Sequence, residues 1–254
     1  MLSTYTDLPG KTAVLTGGSR GIGAQTARML AAQGVRVCVV GRDKQALDAV
    51  VADITVAGGA AIGAVADVTS AAALVDVRAQ VDSEFGRVDI LGVFAGGMGY
   101  PTPTSELSLD LWRRVLDSDL TSAFLTVRTF LPILLAQGSG SIITMASSAG
   151  RQPSQANLAY GVANAGIVML TRHLATELGP RGIRVNALAP SSILTEKVAA
   201  HMPEPVRQRV AASHPLQRMG VPADVAEAAL FLASDASSYL SGITIDVAGG
   251  RITN

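Results

Sequence analysis

Short apolar runs rich in β-branched residues alternate along this chain with longer stretches whose apolar positions recur near every 3.6 residues. The short runs are 12–15, 35–40, 61–66, 88–94, 141–146, 183–188 and 243–247. The longer ones are 21–33, 44–57, 71–85, 109–136, 156–178 and 222–233. Strand and helix in regular succession predict βαβ units and a parallel sheet. The strands do not alternate apolar with polar positions, so helices are expected over both faces. The pattern predicts a doubly wound α/β fold with a sheet of seven strands. No linker, composition break or internal repeat divides the chain, which reads as one domain over 1–254.

One segment breaks the rhythm. Residues 190–215 carry prolines at 190, 203, 205 and 215, two histidines and no clean period. The segment follows the carboxyl end of a strand, where open α/β sheets bind ligands. It reads as a mobile cover over a substrate site, with an ordinary surface insertion as the alternative.

Composition narrows the class. Hydrophobic residues make up 48% of 254, enough for a large core. Lys+Arg and Asp+Glu are 20 each, so no basic excess exists to neutralise a nucleic-acid backbone. A single cysteine excludes a disulfide framework, and no metal site is expected. No continuous apolar run approaches the ~20 residues that span a bilayer. The first eleven residues are polar and lack a signal-peptide core. A cytoplasmic protein acting on a small molecule, with neither membrane nor nucleic acid as partner, is the expectation.

The first strand runs directly into Gly17-Gly18-Ser19-Arg20-Gly21-Ile22-Gly23 and then a helix. Glycines there let the backbone approach a pyrophosphate, and the helix N-terminus offers free N–H groups and a positive dipole end. Strand before and helix after are the context the dinucleotide (Rossmann) reading requires. The second strand ends in Gly41-Arg42-Asp43. Arg42 and Arg20 are two guanidinium groups suited to a 2′-phosphate, which favours NADP(H) over NAD(H). Asp43 also suits the start of the next helix. Asp67-Val68 closes the third strand; Asp67 is placed either to accept from an adenine amine or to cap the following helix.

These residues resemble the short-chain dehydrogenase/reductase family, with a flavour of bacterial ketoreductases. The resemblance runs from about Leu8 to Gly250 and rests on 16–23, Asp67-Val68, Ala95-Gly96, Ser147, Tyr160, Val185-Asn186-Ala187 before Pro190, Arg218-Met219-Gly220 and the C-terminal glycines. It implies hydride transfer between nicotinamide and a carbonyl or alcohol. Tyr160 takes the place of the family's acid/base tyrosine, and Ser147 that of its carbonyl-polarising serine; Ser148 is one residue out of register. Pro190, Ile193 and Thr195 match nicotinamide-contacting positions, and Ala95 and Gly96 the cofactor loop. Gly97, Met98, Arg151 and Met202 are expected around the substrate, Arg151 either on an acidic substrate group or as an unpaired surface residue. Pairing of the long helices implies a homotetramer or homodimer.

The chain departs from the family at telling places. The lysine four residues after the tyrosine, which holds the nicotinamide ribose and lowers the phenol pKa, is Asn164. The asparagine of the long helix is Asp119, and the glycine after Pro190 is Ser191. Only Lys11, Lys44 and Lys197 exist, and Lys197 reads as a solvated residue of the cover. Without the lysine, and with Asp119 nearby, the Tyr160 pKa is expected to rise. Tyr160 then suits carbonyl reduction better than alcohol oxidation. Two further readings stand beside NADPH-dependent reduction of a carbonyl or imine. One is a non-redox step such as cyclisation, dehydration or isomerisation using Asp119, Ser147 and Tyr160; the other is an inactive subunit. Cys38 reads as a buried small hydrophobe, His173 as an outer-face residue, and His201 and His214 as cover residues within reach of a substrate.

Overall fold

The structure, a computed structural model, describes residues 3–253. Seven strands form one parallel sheet: β1 Thr12–Thr16, β2 Arg36–Gly41, β3 Ala61–Val65, β4 Ile90–Val93, β5 Gly140–Met145, β6 Ile183–Pro190 and β7 Thr244–Val247. Their spatial order is β3-β2-β1-β4-β5-β6-β7. The chain builds outward from β1 to β3, then returns to place β4 against β1, pairing Thr16 with Val93. That reversal opens a crevice at the carboxyl ends of β1 and β4, where doubly wound sheets bind ligands.

The central strands are buried on both faces, as their uniform hydrophobicity predicts, and β1 has no exposed residue; the edge strands β3 and β7 are only partly covered. Alternate residues feed two cores. Ala13, Leu15, Val37 and Val39 face α1 Gly21–Ala32, α2 Lys44–Val56 and α9 Pro222–Ala233, which contribute Leu30, Leu47, Ile54 and Leu230. Val14, Cys38 and Val40 face the opposite layer of α3 Ala71–Phe85, α5 Ser122–Gln137 and α6 Leu158–Leu178, which contribute Val77, Phe130, Leu134 and Ile167. Cys38 is a buried small hydrophobe there, and burial pushes its thiol up to about 12.

Local chemistry sets the helix ends. Asp43 caps α2 by accepting from the Ala46 N–H at 3.0 Å. Ser70 caps α3, which ends at Gly86 in the left-handed region. α9 starts with Pro222 at its first turn, while Asp224 reaches back to the Val221 N–H at 2.8 Å. Asp67 is therefore not the α3 cap; its carboxylate accepts from the N–H and hydroxyl of Thr69 in a tight turn.

Two expectations are corrected. The 109–136 stretch is not one regular helix: α4 Leu109–Leu116 passes through a π turn at Asp117–Thr121 before α5 begins. Leu109–Gln137 is long and apolar enough to cross a membrane by length and composition only, and its Val127, Phe130 and Leu134 are instead buried in the core. Residues 190–215 are not an aperiodic loop, for they contain α7 Glu196–His201 and α8 Glu204–Ala212. Neither short helix buries a residue fully, so no apolar stripe announced them in the sequence.

Phe130 is the largest wholly buried side chain and fills the layer between α5 and the sheet. Phe130→Ala is expected to lower unfolding free energy by about 3–5 kcal/mol, read from the denaturation midpoint at unchanged m-value.

Candidate active site

The glycine loop between β1 and α1 is shaped by lack of room. A Cβ on residue 23 would overlap the Gly17 carbonyl oxygen. One on residue 17 would stand 2.8 Å from the Phe94 carbonyl oxygen, where φ is also +67°. Thr16, buried at the end of β1, holds the same junction: its Oγ1 accepts from the N–H of Phe94 at 3.1 Å. Arg20 occupies the N-cap of α1 without a side-chain cap, and no acid lies in the first turn. The first N–H groups of α1 are thereby left for an anion, and the loop fits a pyrophosphate. Ile22 packs on the core beneath. Ser19 lies beside Gly41, within 3.2 Å of where a Cβ there would stand.

The two guanidinium groups at the rim of the loop differ in their partners. Arg20 is ion-paired with Asp43, so the acid that caps α2 also engages one of the two guanidinium groups expected on a 2′-phosphate. Arg42 remains exposed on the rim, and its charge helps hold the Asp67 carboxyl below the usual carboxylate range, after the hydrogen bonds from Thr69. Across the crevice, Thr195 reaches over the loop: its Cγ2 is 3.2 Å from the position of a Cβ on residue 21. Thr195 caps α7, and Ile193 is pinned by a bridge to Gly220. Pro190 ends β6 between them and the sheet.

Ser147, Tyr160, Asn164 and Asp119 come together. Ser147 follows β5, caps a short turn over Ser148–Gly150 through the Ala149 N–H at 3.2 Å, and is 9% exposed. Burial raises the Tyr160 phenol above its ordinary range near 10. Hydrogen bonding with Ser147 and Asn164 pulls the other way, and the Asp119 charge adds to the rise. Asn164 is buried and donates to the Tyr160 carbonyl at 2.8 Å. It fills the position one helical turn on from Tyr160 with a neutral amide.

Asp119 sits in the π turn, 7% exposed. Its carboxylate accepts from the Gly97 N–H at 3.0 Å, from the Met98 N–H and from the Ser118 hydroxyl. Burial raises its pKa against those bonds. A Cβ on Gly96 would stand 3.1 Å from this carboxyl, and φ there is +139°. Asn157, which sequence reading passed over, completes the hold on the same loop. It is 2% exposed, caps α6 through the Tyr160 N–H at 2.9 Å, and donates to the carbonyls of Met98 (2.8 Å) and Tyr100 (2.9 Å). An asparagine just before an apolar helical pattern is a cap signal, and that signal was available in the sequence. The loop 97–100 so fixed lies on Tyr160, with a Cβ on Gly99 only 3.0 Å from its ring.

Other candidates resolve differently. Arg151 is neither a free substrate group nor an unpaired surface residue: it is 14% exposed and pairs twice with Asp246, at 3.0 and 3.1 Å. Lys197 does not replace the missing lysine; its ammonium lies 5.0 Å over the ring of Tyr100. Met202 is half-buried at the end of α7. His173 is exposed on α6, and His201 is exposed with Nδ1 at 2.8 Å from the Lys197 carbonyl. His214 is buried.

A family model described as enoyl-(acyl carrier protein) reductase matches residues 17–251. A 3-oxoacyl-[acyl-carrier-protein] reductase of Synechocystis sp. is 39% identical over 251 residues, spanning 97% of this chain and 99% of that protein. A cis-4-hydroxycyclohexanecarboxylate dehydrogenase of Sinomonas cyclohexanicum is 41% identical over 243 residues, 94% of this chain and 96% of that protein. Levodione reductase has the same architecture, with a TM-score of 0.91 at 30% identity over 96% of this chain and 98% of its own. A protein from Beutenbergia cavernae, assigned as an NAD(P)-dependent gluconate 5-dehydrogenase and holding NADP at low occupancy, gives 0.90 at 36% identity over 97% and 98%. Similarity of this extent, across the sheet and both helical layers, makes the chain a member of the short-chain dehydrogenase/reductase family, the NAD(P)-dependent oxidoreductases of small molecules.

Proposed function

We propose that the chain is an NADPH-dependent reductase of a carbonyl or imine in a small biosynthetic substrate, with Tyr160 as a neutral hydrogen-bond and proton donor. The observation that carries this reading is Tyr160, half-buried beside Ser147, with an amide at 164 and a carboxylate at 119 where the family has lysine and asparagine. The acyl-carrier reductase among the relatives supports the biosynthetic substrate.

The glycine loop from Gly17 to Gly23 would hold the pyrophosphate on the α1 N-terminus. Arg42, joined by Arg20 once it leaves Asp43, would hold the 2′-phosphate. Asp67 and Val68 would border the adenine, and Ala95 and Gly96 the adenosine. Asn164 would meet the nicotinamide ribose, and Pro190, Ile193 and Thr195 the nicotinamide. The bound nucleotide supplies the hydride. Ser147 and Tyr160 would both donate to the substrate oxygen, a pair of donors aimed where charge develops. Tyr160 then gives its proton to that oxygen. An alkoxide is far more basic than a phenolate, so a raised tyrosine pKa leaves this transfer downhill. Oxidation needs the phenolate beforehand, and burial without a nearby lysine makes that form scarce at neutral pH.

Gly97, Met98 and Met202 would border the substrate. The engagement of Asp119 by two backbone N–H groups favours a positioning role over acid/base work, and so weighs against the non-redox reading. Phe124, Leu158, Val162 and Met169, exposed on α5 and α6, support pairing of these helices in a homo-oligomer.

NADPH consumption with a panel of ketones and cyclic imines tests the reading; Tyr160→Phe is expected to cut kcat by about a hundredfold or more. Consumption that survives Tyr160→Phe would overturn the role given to Tyr160. Asn164→Lys restores a cation beside the phenol and is expected to speed alcohol oxidation about tenfold relative to reduction, with the oxidative pH profile moved to lower pH. Calorimetry of Arg42→Ala is expected to show NADPH affinity down about tenfold and NADH affinity unchanged.

A further inference from the structure

A pairing of hydroxyl and imidazole stands at the carboxyl end of β6, outside the Tyr160 group. Ser191 follows Pro190 where the family pattern has glycine, and its Oγ lies 3.0 Å from Nε2 of His214. Nδ1 of the same ring lies 2.8 Å from the Val210 carbonyl. A carbonyl only accepts, so Nδ1 carries the proton and Nε2 turns its lone pair to the Ser191 hydroxyl. His214 is 2% exposed, held by α8 on one side and the end of β6 on the other. A nucleophile bonded to a base, and the base oriented by a third group, is the arrangement that activates serine. Both residues line a cavity of about 290 Å³, together with Ser192, Leu216, Arg218 and Asp246. Neither the glycine loop nor Ser147, Tyr160, Asp119 or Asn164 lines it.

We propose that Ser191 is an acyl acceptor, with His214 as its general base, for small activated esters. Ser191 Oγ adds to the ester carbonyl carbon while its proton passes to His214 Nε2. The bond from that carbon to the leaving oxygen then breaks, and the proton departs with the alcohol, leaving an O-acyl serine. Water, giving a proton to the same nitrogen, then attacks the acyl carbon; the bond from that carbon to Ser191 Oγ breaks, His214 Nε2 returns the proton to Oγ, and the acid and free Ser191 are released. Arg218 and its ion-pair partner Asp224, 2.9 Å apart, both line the wall of the cavity. The site stands apart from the reductase reading, and its readout is acylation of a serine, independent of nucleotide.

The full-length protein is mixed with p-nitrophenyl acetate, and p-nitrophenolate release is followed beside intact mass. The expected result is a burst with one acetyl group per chain, mapped to the peptide holding Ser191. Ser191→Gly puts the family's own residue back, removes the acyl acceptor and is expected to abolish the burst. Ser191→Cys, with a more nucleophilic atom beside the same imidazole, is expected to acylate at least as fast as the parent. No burst, acetyl groups confined to lysines, or an equal burst from Ser191→Gly would each overturn the proposal.

Discussion

A side chain at residue 23 would collide with the Gly17 carbonyl, and the active edge of the molecule is built on that lack of room. The obstacle is backbone, which cannot rotate aside as a side chain would. The contact brings the N-terminus of α1 onto the end of β1, and the close approach of Gly17 to the Phe94 carbonyl brings β4 against the same point. The Thr16 hydroxyl ties the two strand ends by accepting from Phe94. Parallel pairing then aligns the carboxyl ends of β5 and β6 beside them, so Ser147 and Pro190 reach one crevice from different strands.

Polar groups of the crevice are organised by burial. Asp119 and Asn157 are buried and grip opposite sides of one loop: the carboxylate takes its N–H groups, and the amide gives to its carbonyls. Three glycines within four residues, 96, 97 and 99, need such an external hold, because glycine loses the most backbone freedom on ordering. The π turn at Asp117–Thr121 aims Asp119 at this loop, in keeping with the tendency of such bulges to lie at functional positions. The same burial that makes these bonds strong raises the cost of charge on Tyr160. With an amide at 164, the phenol has hydrogen-bond partners but no countercharge there.

Much of the fold was legible because its signals are local or periodic. The seven strands were placed within a few residues, and α3 and α9 at their observed ends, since Ser70, Gly86 and Pro222 mark their boundaries. The π turn was not legible: it widens the helix over a single turn, and no residue type in Asp117–Thr121 announces it. α7 and α8 escaped because neither has a buried stripe. At the site, the spacing from Ser147 to Tyr160 agrees with the hydrogen bonding between them, whereas the nearness of Asp119 to Tyr160 was not readable and comes from the fold. The fates of Arg20, Arg151 and Asp67 were not readable. Each turns on a partner chosen in space, as with Asp246, 95 residues from Arg151, or on a turn that competes with a cap, as with Thr69.

The central claim is that Tyr160 is a neutral donor at working pH. Difference absorbance at the tyrosinate band, comparing the parent with Tyr160→Phe from neutral to strongly alkaline pH, isolates its titration from those of Tyr5, Tyr100 and Tyr239. The account predicts that the missing component ionises above the ordinary tyrosine range near 10, and that Asp119→Asn moves it down. Ionisation of that component below the ordinary range would contradict the account, for it would mean that a charge other than the family lysine stabilises the phenolate.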